Sequence, residues 1–265
     1  MIKKAKPKMH IASCSFGKDS IATILLALEN NEPLDRVVFS EVIFDHEKGI
    51  SGEIPEHIEW VYNTAMPKLE SMGVKVDVVK AKKDYVSLCK TILKKGKNAG
   101  SMYQLQNCFP CYANSALKIA PIKQYCTAFN KQYDVTQYVG IAKDEPKRLA
   151  RLKGTNKISL LDKYGYTEQM AMDKCKEYDL VSPFYSSGYE SRGGCWFCFN
   201  ANIRRYINIR GNFPEYWQAL RNLYYETNST YFKYNKSLEQ IESQMDAYEW
   251  NKKNQLRLFE DNGNA

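Results

Sequence analysis

Residues 13–20 (Ser13, Cys14, Ser15, Phe16, Gly17, Lys18, Asp19, Ser20) lie between a β-prone run at 9–12 and an apolar run of helical length at 21–28. A strand that turns through a short polar loop directly into a helix restricts the chain to few architectures, chiefly layered α/β ones. Small and hydroxyl side chains leave the loop backbone uncovered, and the helix brings its positive N-terminal end to the same point, so the fitting ligand is a phosphate. Gly17 is expected to permit a turn that a side chain would block, and Lys18 adds a mobile positive charge. The pattern Gly-x4-Gly-Lys-Ser/Thr is absent, so this is not the Walker loop. The plain alternative is an ordinary polar strand-to-helix turn.

The following segments extend the α/β reading. Residues 36–44 form a nearly continuous apolar run, as a buried parallel strand should, ending at Asp45. Residues 56–72 have helical spacing, with Pro67 expected to bend or interrupt the helix and Gly73 to end it. Residues 74–79 alternate as a third strand, 84–97 read as a basic helix, and 135–139 as a further strand. The β-α-β-α-β order predicts a doubly wound, mainly parallel, Rossmann-like sheet. Ligands of such sheets meet the carboxyl ends of the strands, which would bring Asp45 to the ligand of the first loop. A polar strand terminus is the alternative for Asp45.

Two Cys-x-x-Cys pairs, Cys108/Cys111 and Cys195/Cys198, supply the four thiolates of a closed metal site, although more than eighty residues separate them. Zn²⁺ is the first expectation and a [4Fe–4S] cluster the alternative, since both take four cysteines. Two independent redox dithiols would also fit. Cys14, Cys89, Cys126 and Cys175 read as core residues.

The loop resembles the modified Ser-x-Gly-x-Asp-Ser loop of the PP-loop ATP pyrophosphatases, the adenine nucleotide alpha hydrolase-like superfamily. Within it the chain resembles the phosphoadenosine phosphosulfate (PAPS) reductase-like family. The resemblance is carried, in order, by the loop, by Gly52-Glu53-Ile54-Pro55-Glu56, by Leu117-Lys118-Ile119-Ala120-Pro121, and by Gly140-Ile141 followed by Glu145 and Arg148. It spans residues 9–199. It implies ATP with Mg²⁺, held by Ser15, Phe16, Gly17, Lys18, Asp19 and Ser20, with Gly140, Ile141, Asp144, Arg148 and Arg151 lining the pocket. Lys18 and Asp19 are the expected catalytic pair. The chain departs from sulfonucleotide reductases in having Ala142 where they tend to carry arginine, and no cysteine after Cys198, so PAPS reduction is not expected.

Residues 1–165 are expected to form the nucleotide-binding part, and 166–265 a mainly helical part with helices at 167–178, 214–225 and 237–259. Residues 179–185 are expected to be extended. A net charge of +8 and the cluster Arg192, Arg204, Arg205 and Arg210 among aromatics suit a nucleic-acid partner, tRNA or DNA. No apolar run is long enough to span a membrane, and a cytoplasmic location is expected. Three functions fit these features: adenylation of an acceptor by ATP, within a thiolation-type reaction; sulfonucleotide reduction; and a non-catalytic nucleotide or nucleic-acid module with a structural metal.

Overall fold

A computed structural model describes residues 6–186 and 193–262. β1 (Lys8–Cys14) leads through the polar loop into α1 (Lys18–Glu29). β2 (Arg36–Glu41) lies parallel to β1, with Ile11 opposite Arg36 and Cys14 opposite Phe39. The apolar run then leaves the main sheet: β3 (Ile43–Asp45) pairs antiparallel with β4 (Ile50–Ser51) in a separate ribbon. The expected single strand at 36–44 is therefore two. Gly52 makes the break possible, because its amide bonds the Val42 carbonyl at 2.7 Å and a Cβ there would stand 2.9 Å from the Val42 side chain.

The helix after the ribbon is α2 (Pro55–Trp60), a π turn (Val61–Ala65) and α3 (Met66–Ser71). The wide turn lies just before Pro67, so the helix continues past a residue with no N–H to donate. β5 (Val76–Lys80) follows Gly73, whose φ is +83°. The basic helix expected at 84–97 shrinks to α4 (Tyr85–Cys89), started by a reciprocal cap between Asp84 and Ser87. Beyond it the chain doubles back, with Leu93 bonded to Ser101 and Tyr103 to Thr91. Gly96 and Gly100, both at φ +88°, turn this arm, and the like charges of Lys94, Lys95 and Lys97 disfavour a helix there.

A π turn (Asn114–Ile119) and α5 (Ala120–Phe129) lead into β6 (Asp134–Val139), which pairs with the other side of β1. α6 (Pro146–Leu149), β7 (Lys157–Ile158), α7 (Leu160–Lys163) and α8 (Glu168–Glu177) follow. The main sheet is wholly parallel in the order β5-β2-β1-β6-β7. The chain reverses winding between β1 and β6, and the crevice at their carboxyl ends is where such sheets bind ligands. α1 is buried from Ser20 to Ala27 because sheet, α7 and α8 enclose it.

The remaining helices are α9 (Ile203–Asn212), α10 (Pro214–Glu226) and α11 (Leu238–Asn262). Asn202 caps α9, and Ser237 and Gln240 bond reciprocally at the start of α11. The core of this part, with Trp196, Tyr206, Trp217 and Ile241, is continuous with Phe44, Tyr85 and Leu117. α8 instead packs with α1 in the core beside the main sheet. The expected extended stretch ends in a 3₁₀ turn, Pro183–Tyr185. No described helix is long and apolar enough to cross a membrane.

Candidate functional site

The loop after β1 is braced from within. The Ser20 hydroxyl accepts from the Ser15 amide at 3.2 Å and donates to the Gly17 carbonyl at 2.9 Å. The Phe16 amide points to the Cys14 sulfur, and the Lys18 amide donates to the Tyr185 hydroxyl at 3.1 Å. The amides of Gly17 and Asp19 have no acceptor among the described residues, which leaves them available to an anion. The left-handed residue is Phe16, at φ +56°, and not Gly17, whose φ is −80°. Phe16 is fully buried edge-on against Phe39, and that burial offsets the backbone strain of a non-glycine residue at positive φ. Ser15 faces outward, whereas Ser20 is buried and holds the loop's shape.

Beside the loop stands a group of charges from three elements. The Lys18 ammonium contacts Asp19 at 2.7 Å and Glu168 at 2.8 Å. Burial opposes the charge on Lys18, but its hydrogen bonds to the two carboxylates outweigh this and raise its pKa. Burial raises the Asp19 pKa, and the charges of Glu168 and Glu145 add to the rise against the pull of Lys18. Glu145 in turn holds Arg148, with contacts of 2.5 and 2.7 Å. Thr167 caps α8, and Asp144 accepts in addition from the Glu168 amide at 3.2 Å, which helps to hold the residue that reaches Lys18. The structure thus brings the expected Lys18, Asp19, Asp144 and Arg148 together and adds Glu145 and Glu168.

The other expected pocket residues have different surroundings. A Cβ on Gly140 would lie 2.7 Å from backbone atoms of Asp19 and Ser20, so this glycine lets β6 abut the start of α1. Ile141 is buried, with its carbonyl bonded by Ser159. Arg151 is exposed in a 3₁₀ turn (Ala150–Leu152). Asp45 ends the β3–β4 ribbon rather than a main-sheet strand. Its carboxylate accepts from the Glu47 and Lys48 amides at 3.0 and 3.2 Å and lines a cavity with Asp84 and Glu226. No hydrogen bond or ion pair joins it to the loop among the described residues.

His57 bears on the loop without having stood out in the sequence. It is 3 % exposed, with Nδ1 2.8 Å from the Ser182 hydroxyl and Nε2 3.1 Å from the Ser15 carbonyl. A carbonyl only accepts, so Nε2 carries the proton and Nδ1 takes the hydroxyl's. Burial lowers its pKa, with Glu53 opposing. Glu53, 2 % exposed, faces Lys118 at 3.6 Å and pairs along the backbone with Cys195. This chain of contacts leads from the loop after β1 to the cysteines.

Cys111, Cys195 and Cys198 border one cavity of about 410 Å³, also lined by Lys118, Phe197 and Phe199. Cys108 is exposed. One cysteine of the first pair therefore reaches the second pair's cavity across the fold, but no three His, Cys, Asp or Glu side chains among the described residues have metal-ligand spacing. The shortfall in the expected four-thiolate site is geometric: Cys108 does not line the cavity, and Cys111, Cys195 and Cys198 do not converge to ligand spacing. The donor set itself, all sulfur on closely spaced pairs, suits zinc or an iron–sulfur cluster. Burial pushes Cys14 up to about 11 and Cys89 and Cys175 to about 12, as inert core thiols require.

The expected basic cluster is not an exposed patch. Arg205 is buried and donates to the Cys195 carbonyl at 2.9 Å, while Arg210 is paired with Asp246 and Glu249 of α11. Arg204 is exposed, and Arg192 lies outside the described residues. The long arginine side chains serve the packing of α9 because their forks reach backbone and carboxylate acceptors.

No protein-family model matches the chain. Among curated proteins, it is similar to the uncharacterized nin region protein ORF290 of Escherichia phage lambda, 28 % identical over 94 residues. The match covers 36 % of this chain and 30 % of that protein's length. Among solved structures, it is similar to the U34-tRNA thiolase NcsA from Methanococcus maripaludis with its [4Fe-4S] cluster, at 15 % identity and a TM-score of 0.41. That likeness covers 84 % of this chain and 73 % of the other.

Proposed function

We propose that the protein is a PP-loop enzyme that binds ATP with Mg²⁺ and transfers AMP to an oxygen of a nucleic-acid acceptor, within a sulfur-transfer reaction. The observation that carries this reading is the loop at the sheet's switch point, with two uncommitted amides and Lys18 on the same turn. In the reaction an acceptor oxygen attacks the α-phosphorus, the bond from that phosphorus to the bridging oxygen breaks, and pyrophosphate leaves. The loop amides and Lys18 stabilise the charge that grows on the leaving group. Asp19 and Glu168, which share the Lys18 ammonium, supply carboxylate oxygens for Mg²⁺, whose role is to neutralise the phosphates. Arg148, tied to Glu145, lies within the same charge group and can turn to a phosphate oxygen. Cys108, Cys111, Cys195 and Cys198 would hold zinc or a [4Fe–4S] cluster; zinc would tie the two parts of the chain, and a cluster would supply sulfur or redox chemistry. Adenylation turns the acceptor oxygen into a leaving group: a sulfur nucleophile that attacks the carbon bearing it breaks the carbon–oxygen bond, and the oxygen departs as AMP.

The test is release of pyrophosphate from ATP in the presence of single-stranded oligonucleotides, with Lys18→Gln as the control. Acceptor-dependent pyrophosphate that falls at least 100-fold in the variant is expected. Hydrolysis to ADP and phosphate, or turnover indifferent to Lys18, would overturn the proposal.

A further inference from the structure

The chain's positive charge is concentrated in one stretch. Residues 82–124 contain eight lysines and one acid, Asp84, and so hold seven of the eight surplus positive charges of the whole sequence. The acid is spent internally: Asp84 caps α4 and accepts from the His46 amide at 2.8 Å. Lys94, Lys95 and Lys97 are exposed at the tip of the doubled-back arm, and Lys82 and Lys83 are exposed at its base. Between arm and α5 opens a cavity of about 480 Å³ whose wall is mostly apolar, with Lys82, Lys83, Leu93, Tyr103, Tyr112 and Gln124 on it.

Its two tyrosines meet at an inclination of 48°, with the face of Tyr112 the more open. Their ring centroids are 5.4 Å apart, and Tyr112 is 50 % exposed. Gln106 holds both, accepting from the Tyr103 hydroxyl at 3.2 Å and from the Tyr112 amide at 2.9 Å. An apolar slot with aromatic faces and a lysine rim matches a flat heteroaromatic ring attached to a phosphodiester. Tyr112 directly follows Cys111, and the turn that carries it divides this slot from the cysteine cavity. Tyr112 and Ala116 line the slot, and Cys111 and Ser115 line the cavity.

We infer that this face docks a single-stranded nucleic acid, with one base stacked in the Tyr103–Tyr112 slot and the flanking phosphates on Lys82, Lys83, Lys94, Lys95 and Lys97. The inference rests on the reading of the acceptor as a nucleic acid and assigns its place on the fold: a nucleotide in the slot lies across the Cys111–Ala116 turn from the cavity that Cys111, Cys195 and Cys198 border. The partner's chemistry is a stacked base plus a charged backbone, which RNA and DNA share.

The experiment is fluorescence-anisotropy titration of labelled mixed-sequence 12-mers, as single-stranded RNA, single-stranded DNA and duplex DNA, without ATP. Three proteins are compared with the wild type: Tyr112→Ala, the triple variant Lys94→Gln/Lys95→Gln/Lys97→Gln, and Lys18→Gln. All the changed side chains in the first two are exposed, and circular dichroism checks the fold. Tyr112→Ala should weaken single-strand binding by roughly 5- to 100-fold, the range of one lost base stack. The triple variant should lower the slope of log affinity against log salt by about 2. Lys18→Gln should bind like the wild type, which separates failure of docking from failure of ATP chemistry. Preference for RNA, for DNA, or for neither over the other supports the docking face and names its source. Undetectable single-strand binding by the wild type, duplex preference, or full affinity in Tyr112→Ala would overturn it.

Discussion

His57→Gln separates the structural and ionic roles of the buried imidazole under the phosphate loop. At pH 7.5 the neutral ring makes two bonds, to the Ser15 carbonyl and from the Ser182 hydroxyl. Glutamine keeps a donor but presents it differently, so the loss is of the order of one to two buried hydrogen bonds, about 1–2 kcal/mol. The pH dependence has the opposite sense. Burial lowers the folded pKa of His57 below its ordinary 6.5, so on acidification the unfolded chain takes up this proton first. The neutral ring's contribution is therefore complete above about pH 6.5 and is lost as pH falls towards the lowered folded value, at up to about 1.4 kcal/mol per pH unit. Glutamine does not titrate. In urea unfolding at pH 7.5, 6.5 and 5.5 the gap between wild type and variant should thus shrink from the highest to the lowest pH, by no more than about 1.4 kcal/mol. A constant gap would mean that the ring does not titrate in this range. A gap that widens with acid would mean that Glu53 outweighs burial, refuting the reasoning.

Gly140→Ala should destabilise the fold by about 1–3 kcal/mol and weaken ATP binding, because the added carbon meets the backbone of Asp19 and Ser20 at 2.7 Å and backbone cannot rotate away; thermal unfolding and ATP titration check both effects. ATP binding measured by calorimetry should be at least 10-fold weaker in EDTA than with Mg²⁺, since Asp19, Glu145 and Glu168 outnumber Lys18 and Arg148 beside the loop and would repel bare phosphates. Equal affinities would show that the carboxylates turn away from the ligand. Asp144→Asn should cost less than about 1 kcal/mol in stability because asparagine also accepts from the Glu168 amide, so a large fall in its melting temperature would mean that Asp144 does more than help to hold α8.

The parallel sheet was legible because its signal is local: apolar strands, a polar loop and a helix follow one another within short windows. Three failures came from contacts that no window contains. The run at 36–44 reads as one strand because nothing in its composition marks Val42, and the break is made by Gly52 returning to bond it. Arg205 and Arg210 read as a basic patch because their acceptors, the Cys195 carbonyl and the acids of α11, are supplied by folding. Glu168 is 150 residues from Lys18 in sequence, and His57 meets Ser15 and Ser182 across 42 and 125 residues. Reciprocal capping at the start of α11, by contrast, needs only Ser237 and Gln240, which stand within one helical turn of each other.

Tyr185 gives the loop a thermodynamic character of its own. Its hydroxyl takes the Lys18 amide, as Ser20 takes the Ser15 amide. A phosphate oxygen that approached these groups would exchange one hydrogen bond for another instead of gaining one, and little net heat would come from them. The binding free energy then has to come from charge and from the two uncommitted amides, so affinity should respond more to ionic strength and divalent cation than to temperature. Displacing the phenol would also move the turn it belongs to, at Pro183–Tyr185, whose neighbour Phe184 lies edge-on to His57 at 5.2 Å. Nucleotide occupancy would in this way be felt by a side chain that anchors the floor of the loop.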